Sequence, residues 1–443
     1  MTLVQTKEQA VSPPVKAPVD APRQVAERYG DPDWLLQLRQ EAWERYSDLA
    51  LPDRTAHLWR YTDPAQFVLR TEAIVPQERR GGQAVQESHG HFKHEHHAAE
   101  IICQNGALVL RQIDPALESQ GVLLTDLHTA AREHPDRVKE HLGQIVGSAH
   151  GKFEALNLAL WQGGVFLYVP RGVVIDRPVH VVVTGDEGSP LLAPRLLVVL
   201  DEGAQATLVD EYASPRPAGF DANGIVELAL RPAANLRYVT LQRWGEQVTA
   251  FFTQRAVVER DAQMLAVWAG LGGSVVKADL GSALAGRGAN AKLLGMSFAQ
   301  HRQHFDQHTV HDHRVGDTYS DLDFKIVLKD KARSAYTGLI RIAQQSQNCE
   351  AYQENRNLLL SDQCRVETIP ELEILNDEVR CSHGATVGPV DEEMLYYLAS
   401  RGIPRADAIR MVISGFVEPT FLEVPEDLRD RLRSYVMERV KKI

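Results

Sequence analysis

The chain is short of cysteine. Its four thiols, Cys103, Cys349, Cys364 and Cys381, are scattered through 443 residues with no CxxC pair. That excludes a disulfide framework and fits the thiols of a reducing cytoplasm, the location expected for the protein. Long apolar runs are also absent: none approaches the roughly 20 residues needed to cross a bilayer. Positive charge is in deficit, with 48 Lys and Arg against 59 Asp and Glu and a net charge of −11. This argues against a nucleic-acid footprint and against adhesion to an anionic membrane. No GxxxxGK(S/T) loop occurs, so the chain is not expected to bind or hydrolyse ATP itself, and no GxSxG elbow occurs. The stretch Met1 to Ala21 is polar and proline-rich, without the apolar centre of a signal peptide.

What is present divides the chain by texture. Residues 1–27, with Pro13, Pro14, Pro18 and Pro22, read as a disordered lead-in. Residues 28–150 read as a helical domain. Trp34, Leu35, Leu38, Ala42 and Tyr46 recur at helical spacing after the start signal Asp31-Pro32-Asp33, and Ala130 through Ile145 gives more helix. Between them lies the tract His89-Gly90-His91-Phe92-Lys93-His94-Glu95-His96-His97. It matches no zinc template, so adventitious metal binding is the expectation.

From about Gly163 the texture becomes β. Val165–Val169, Val179–Val183 and Leu196–Leu200 are short aliphatic runs separated by turn residues. A small residue flanked by polar groups recurs before a new apolar run, at Ala204, Ala234, Ala262, Ala289, Ala332 and Cys364. The step is about 27 to 32 residues, with one longer step across a His-rich insertion near Phe305, and such a period with strand texture signals a solenoid. Each coil cannot bury its own inner face, so coils must stack. A β-helix is therefore expected over residues 151–388, with about two or three strands per coil.

Cys364 then reads as a structural corner residue. The insertion carries His304 and His308 on one strand face and His311 and His313 on the other. Two faces dilute any metal site, so polar ladders on the outside of the solenoid are expected. Asp321 and Asp323 beside Lys325 form the one tempting carboxylate pair, and they read as a solvated strand face.

Residues 389–443 read as helical again. Asp391 is a good N-cap, Arg401-Gly402-Ile403-Pro404 ends one helix and starts another, and Ala408, Ile409, Val412, Ile413 and Phe416 form an apolar face. Leu428, Leu432, Tyr435, Val436 and Val440 form a third stripe. These helices serve as a cap or as a docking module for a partner. Just before them, Cys381 and His383 lie two residues apart, so on a strand both project from one face. Thiol and imidazole suit iron, zinc or copper.

Several blocks together resemble the SufB/SufD family of iron–sulfur cluster assembly scaffolds. They are Leu58-Trp59-Arg60-Tyr61-Thr62-Asp63; Phe153-Glu154-Ala155-Leu156-Asn157; Tyr168-Val169-Pro170-Arg171-Gly172-Val173; Asn357-Leu358-Leu359-Leu360; Pro370-Glu371-Leu372-Glu373-Ile374; Cys381 to Thr386; and Tyr397 to Ile403. They cover nearly the whole chain from Trp34 onward, in the family's order. The Cys-Ser-His-Gly-Ala-Thr block is similar to the SufD type rather than the SufB type. The resemblance implies a mainly β protein, with a right-handed parallel β-helix flanked by N- and C-terminal α-helical domains. It implies a non-catalytic scaffold that pairs with SufB and binds the SufC ATPase, so that ATP-driven rearrangement opens a shared site for a transient Fe–S cluster. A homodimer is possible when the chain is alone. At that site His383 carries over as a ligand and Cys381 as a weaker one, and Tyr397, Arg401, Gly402, Ile403, Ile409 and Phe416 carry over as the ATPase-docking surface. The competing reading is a β-helix enzyme acting on carbohydrate.

Overall fold

The computed structural model describes residues 20–67, 97–186, 191–215, 219–424 and 426–440. Its centre is a β-solenoid of about eight turns with helices at both ends. Each coil gives one strand to each of two facing sheets. The first sheet stacks Val179–Thr184, Gln205–Ala213, Asn235–Arg243, Gln263–Gly270, Asn290–Ala299, Tyr319–Leu328, Cys349–Leu359 and Val379–Pro389 in parallel. The second stacks Arg195–Leu200, Asp221–Leu230, Thr249–Val258, Val275–Leu284, His304–His313, Arg333–Ile342 and Arg365–Ile374. Alternate residues point between the sheets, which is why one face of most strands is apolar. Leu208, Leu236, Tyr238, Leu280, Leu322 and Phe324 belong to that inner core.

The repeat is present, but its register differs from the sequence reading. One corner of the coil carries Ala204, Ala234, Ala262, Ala289, Thr318 and Cys349 in adjacent rungs, at steps of 27 to 31 residues. Ala332 and Cys364 sit at the opposite corner, before strands of the second sheet. Taking them as the next copies moved the count from one corner to the other and created the apparent long step. No insertion exists there: His304–His313 is an ordinary rung. The first corner has its own signal. The residue before the small one has positive φ at Gly203, Ala233, Asp261, Gly288, Asp317 and Asn348, a conformation that Gly, Asn and Asp tolerate best.

The histidines of that rung are a second correction. His311 and His313 line the interior, not the outside, and both are fully buried. His313 bonds the Thr318 and Ser320 hydroxyls at 2.7 and 2.8 Å. His304 and His308 do face outward, but Thr62 and the Leu58 carbonyl close over them: Thr62 Oγ1 lies 2.7 Å from His304 Nε2, and Lys277 Nζ lies 2.6 Å from the Leu58 carbonyl and 3.1 Å from His308 Nε2.

Burial holds the imidazole of His311 down to about 3 and that of His313 to about 4. An unfolded histidine titrates near 6.5, so below that pH the unfolded chain takes up protons that the folded chain refuses. Stability due to these two groups is therefore complete above about pH 6.5 and is lost as pH falls toward 4. Going from pH 7.5 to 5 is expected to cost about 2 kcal/mol per histidine. Asp210 acts in the opposite sense. Burial pushes its carboxyl up to about 6 even though the Tyr212 and Tyr238 hydroxyls donate to it, so it returns about 1 kcal/mol over the same interval. Urea unfolding at the two pH values checks the balance. His311→Leu is expected to remove about two thirds of the net acid loss, and an unchanged pH dependence in that variant would refute the assignment.

The helical regions cover the outer faces. Helix Ala21–Tyr29 begins inside the stretch read as a lead-in, and helix Asp33–Asp48 starts where expected. Residues 127–141 form two short helices broken at Pro135. Helix Lys152–Leu160 is buried from Phe153 onward, and its polar side chains Glu154 and Asn157 are hydrogen-bonded inside. It packs on helix Asp33–Asp48 and strand Asp221–Leu230, and so ties the N-terminal region to the outer face of the second sheet. Of the His-rich tract, residues 89–96 lie outside the described residues; His97 is buried, its ring 5.2 Å from that of His180. No helix among the described residues is long and apolar enough to cross a membrane.

The C-terminal helices Glu392–Ser400, Arg405–Leu422 and Glu426–Val440 do not hang free of the solenoid. Ala408, Ile413, Val417, Phe421, Leu432, Val436 and Val440 form one cluster with outward residues of the first sheet, including Val239, Leu241, Val267, Met296 and Val327. Lys325 pairs with Asp323 beneath Thr420 of the middle helix. The Asp321–Asp323 pair is thus partly covered and carries an internal counter-ion, which is a poor arrangement for an open acid–base site.

Candidate functional site at the open end of the solenoid

Among the described residues, the last rung has no cap. Strand Arg365–Ile374 pairs there only with Arg333–Ile342, and strand Val379–Pro389 only with Cys349–Leu359. The apolar residues there remain open: Leu372 is 37%, Val387 47% and Leu375 60% exposed. Solenoids need a cover at such an end, and unpaired strand edges invite pairing with another chain.

Cys381 and His383 lie on this terminal strand. Register places Cys381 over Ala351 and His383 over Gln353, both on the inward face. The inward column passes from Leu322 through Gln353 to His383, so it turns from apolar to polar as it nears the open end. The Gln353 amide is buried with neither polar atom bonded to the protein, which marks a place where a polar group from outside would be accommodated. His383 is exposed and Cys381 half-buried. Burial, and then the nearby Cys349, raise the Cys381 thiol above its ordinary value. A metal binding there must therefore displace a proton.

Two such donors on one strand face supply at most half of a four-ligand set. Among the described residues, a group of three convergent ligating side chains is found elsewhere, at His150, Glu154 and Asp279, and includes neither Cys381 nor His383. Cys381 and His383 are thus a pair of donors at a strand edge that is open among the described residues. Sequence reasoning did not connect Cys349 to it. Cys349 pairs in register with Val379, two residues from Cys381, and this neighbourhood follows only from the correct corner assignment.

The two free edges differ. In strand Arg365–Ile374, the Arg365 N–H donates to Ala332 O and the Leu375 N–H to Ile342 O. Odd-numbered backbone groups thus face the inner ladder and even-numbered ones the free edge. Pro370 falls on the free side, where it removes an edge donor without costing a ladder bond. Glu367, Glu371 and Glu373 add charge to the same strand. Proline and charge are the devices that blunt an edge. Strand Val379–Pro389 has neither protection along its length: Arg380 is its one Asp, Glu, Lys or Arg, and proline comes only at its last residue. There Asn348 N–H donates to Glu378 O, so the backbone groups of Cys381, His383, Ala385 and Val387 face outward.

Of the candidate docking residues on the C-terminal helices, Tyr397, Arg401 and Gly402 are exposed. Ile403, Ile409 and Phe416 are half-buried and pack against the cluster beneath. Gly402 has φ +80° and closes the first helix, its N–H donating to Ala399 O. Exposed Met394, Tyr396, Tyr397 and Met411 leave an apolar surface on this side.

The fold is a two-sheet parallel solenoid whose last rung is open among the described residues, and an open strand edge can take up another chain. Comparison with known proteins agrees with this class. The SufBD core domain of the SUF system for FeS cluster assembly matches residues 181–416, and the SufBD protein N-terminal region matches residues 24–181. The chain belongs to the SufBD family and so has a role in iron–sulfur cluster assembly. It is 27% identical over 434 residues to an iron–sulfur cluster assembly SufBD family protein of Staphylococcus haemolyticus, covering 94% of this chain and 92% of the relative. It is 28% identical over 421 residues to the iron–sulfur cluster assembly protein SufB of Bacillus subtilis, covering 92% and 90%.

Proposed function

We propose that this chain is a SufD-type, non-catalytic scaffold subunit. Its strand Val379–Pro389 adds to an edge strand of a SufB-like partner, and its C-terminal helices dock a SufC-like ATPase through the face bearing Tyr397 and Arg401. The nascent Fe–S cluster is cargo handled at the strand interface, with His383 as a donor and Cys381 beside it. ATP is bound by the partner and not by this chain. The observation that carries the reading is the contrast between the two free edges. The strand bearing the ligand pair is the one left able to pair, and an added strand would bring partner ligands to the same place. A mixed Cys/His site split between two chains opens more readily than a closed thiolate cage, which suits a cluster that must leave. The carbohydrate-enzyme alternative loses ground because its carboxylate pair is partly covered and Asp323 is already paired with Lys325.

Co-expression with SufB- and SufC-like partners tests this. His383→Ala is expected to lower iron and acid-labile sulfide in the purified complex by roughly tenfold, the scale seen when a metal site loses a supporting group. The size of the complex should not change, because the His383 side chain is exposed. Unchanged iron and sulfide in that variant would remove His383 from the site.

A further inference from the structure

The surface of this acidic chain is paired by rung. Arg171 meets Glu202, Arg231 meets Glu259, Arg255 meets Asp279, Arg287 meets Asp317 and Arg341 meets Glu373, each across adjacent coils. One place breaks the pattern. A groove of about 740 Å³ runs between the N-terminal segment, at Arg54, Tyr61, Asp63 and Gln66, and the starts of the second-sheet strands. Its wall carries Arg302, His304, Lys331, Arg333 and Arg365, with Asp362 as the one carboxylate on that side. Counted over the whole lining, five cations face two carboxylates in a chain of net charge −11.

None of the five cations makes a side-chain hydrogen bond or ion pair with another described residue. Three of the groups are stacked: His304 pairs in register with Arg333, and Arg333 with Arg365. Adjacent strands lie about 4.8 Å apart, so the like charges of Arg333 and Arg365, directly opposite each other, repel and destabilise the ladder. Further along the same two strands, Arg341 is answered by Glu373, so the fold supplies a counter-charge at one end of the pair and withholds it at the other. His304 adds a buried Nδ1 with no protein partner among the described residues, its Nε2 being taken by Thr62.

We propose that this groove is a binding site for a compact polyphosphate anion, such as the phosphate group of a small organic diphosphate. Guanidinium forks match phosphate oxygens in pairs, and four of the five cations are arginines. The volume lies within the roughly 300 to 1,000 Å³ of small-molecule sites. An extended polyanion would have to leave the groove and cross a surface of net negative charge. The site lies on the outer face of the second sheet and involves neither Cys381 nor His383, so it stands apart from the cluster-assembly reading.

The test uses the full chain, titrated with inorganic pyrophosphate by calorimetry at low and high salt. One saturable site is expected, with affinity falling as salt rises. The double variant Arg333→Ala/Arg365→Ala should weaken binding by about a hundredfold or more, since each charge-assisted bond contributes about one decade or more. Arg287→Ala, whose guanidinium pairs with Asp317 away from the groove, should bind as the parent does. Without anion at low salt, the double variant should melt no lower than the parent, because it loses repulsion and no partner. Several outcomes would overturn the proposal: no saturable binding, equal binding by the double variant, tighter binding of a polyglutamate peptide than of pyrophosphate, or a lower melting point of the anion-free double variant.

Discussion

Ala385→Pro is expected to abolish pairing with the SufB-like partner while leaving the isolated chain folded. The backbone N–H of Ala385 faces the free edge, because the ladder bonds of this strand run through its even-numbered residues. Proline there removes a donor that only an added strand would use, and its side chain replaces an exposed alanine. The second sheet already tolerates the same device at Pro370. Blocking an edge removes main-chain bonds along the whole added strand, so the loss of affinity should exceed about a hundredfold. Thr386→Pro is the contrasting variant: its backbone faces the inner ladder, so it should cost fold stability as well. Size-exclusion of co-expressed chains, with urea unfolding of each chain alone, reads both effects. If Ala385→Pro leaves the complex intact, pairing through this edge is wrong.

The second large effect concerns stability. Glu227→Ala is expected to destabilise the chain by about 3 to 5 kcal/mol, the range for breaking a buried pair by removing one partner. Glu227 is wholly buried under the helical region. Its Oε1 accepts from Arg195 Nε at 3.0 Å and from the Gly143 N–H at 3.0 Å, while its Oε2 accepts from the Ile145 and Val146 N–H groups at 3.0 and 2.9 Å. Arg195 is also buried and donates to Asn157 Oδ1 at 2.9 Å and to the Val146 carbonyl. Without Glu227, the buried guanidinium loses its counter-charge and three backbone donors lose their acceptor. Such a loss takes much of the roughly 5 to 15 kcal/mol by which a domain is stable. Glu227→Gln keeps an acceptor and should cost less. Denaturant midpoints of the three proteins check the order, and an alanine variant as stable as the glutamine one would contradict it.

Glu227 illustrates what a sequence hides. It sits in a strand of aliphatic residues, where an isolated acid reads as a solvent-facing position. Its partners are 32 to 84 residues away along the chain, and no local pattern announces them. The basic groove is hidden for the same reason. Arg302, Arg333 and Arg365 are about one coil apart, and only stacking in register brings them side by side.

Where the signal was local, it was readable. The runs Val165–Val169, Val179–Val183 and Leu196–Leu200 are strands or cores of strands. The Asp391 carboxylate accepts from the Glu393 N–H at 2.9 Å, as its capping position requires. The solenoid itself was legible because a period near 30 residues states that each coil must bury its face on the next. The corner assignment was not. Both corners of a two-sheet coil demand a small residue after a tight turn, so Ala332 and Cys364 met the pattern as well as Thr318 and Cys349 did. The Asp or Asn with positive φ before the small residue, at Asp317 and Asn348, was the discriminating signal.

For this protein, the sequence by itself determined the class of fold, the family, and the pairing of a thiol with an imidazole on one strand face. These follow from residue spacing along a single chain, where periods of two, 3.6 and about 30 are visible without coordinates. Only the tertiary structure decided which surfaces are covered and which stay open. It turned His311 and His313 inward, laid the C-terminal helices on the first sheet, and left Val379–Pro389 as an edge with a single charge, at Arg380, and proline only at its last residue. The physical reason is that exposure, register and charge pairing are properties of neighbours across coils. A position in the sequence does not specify them until the coils are stacked.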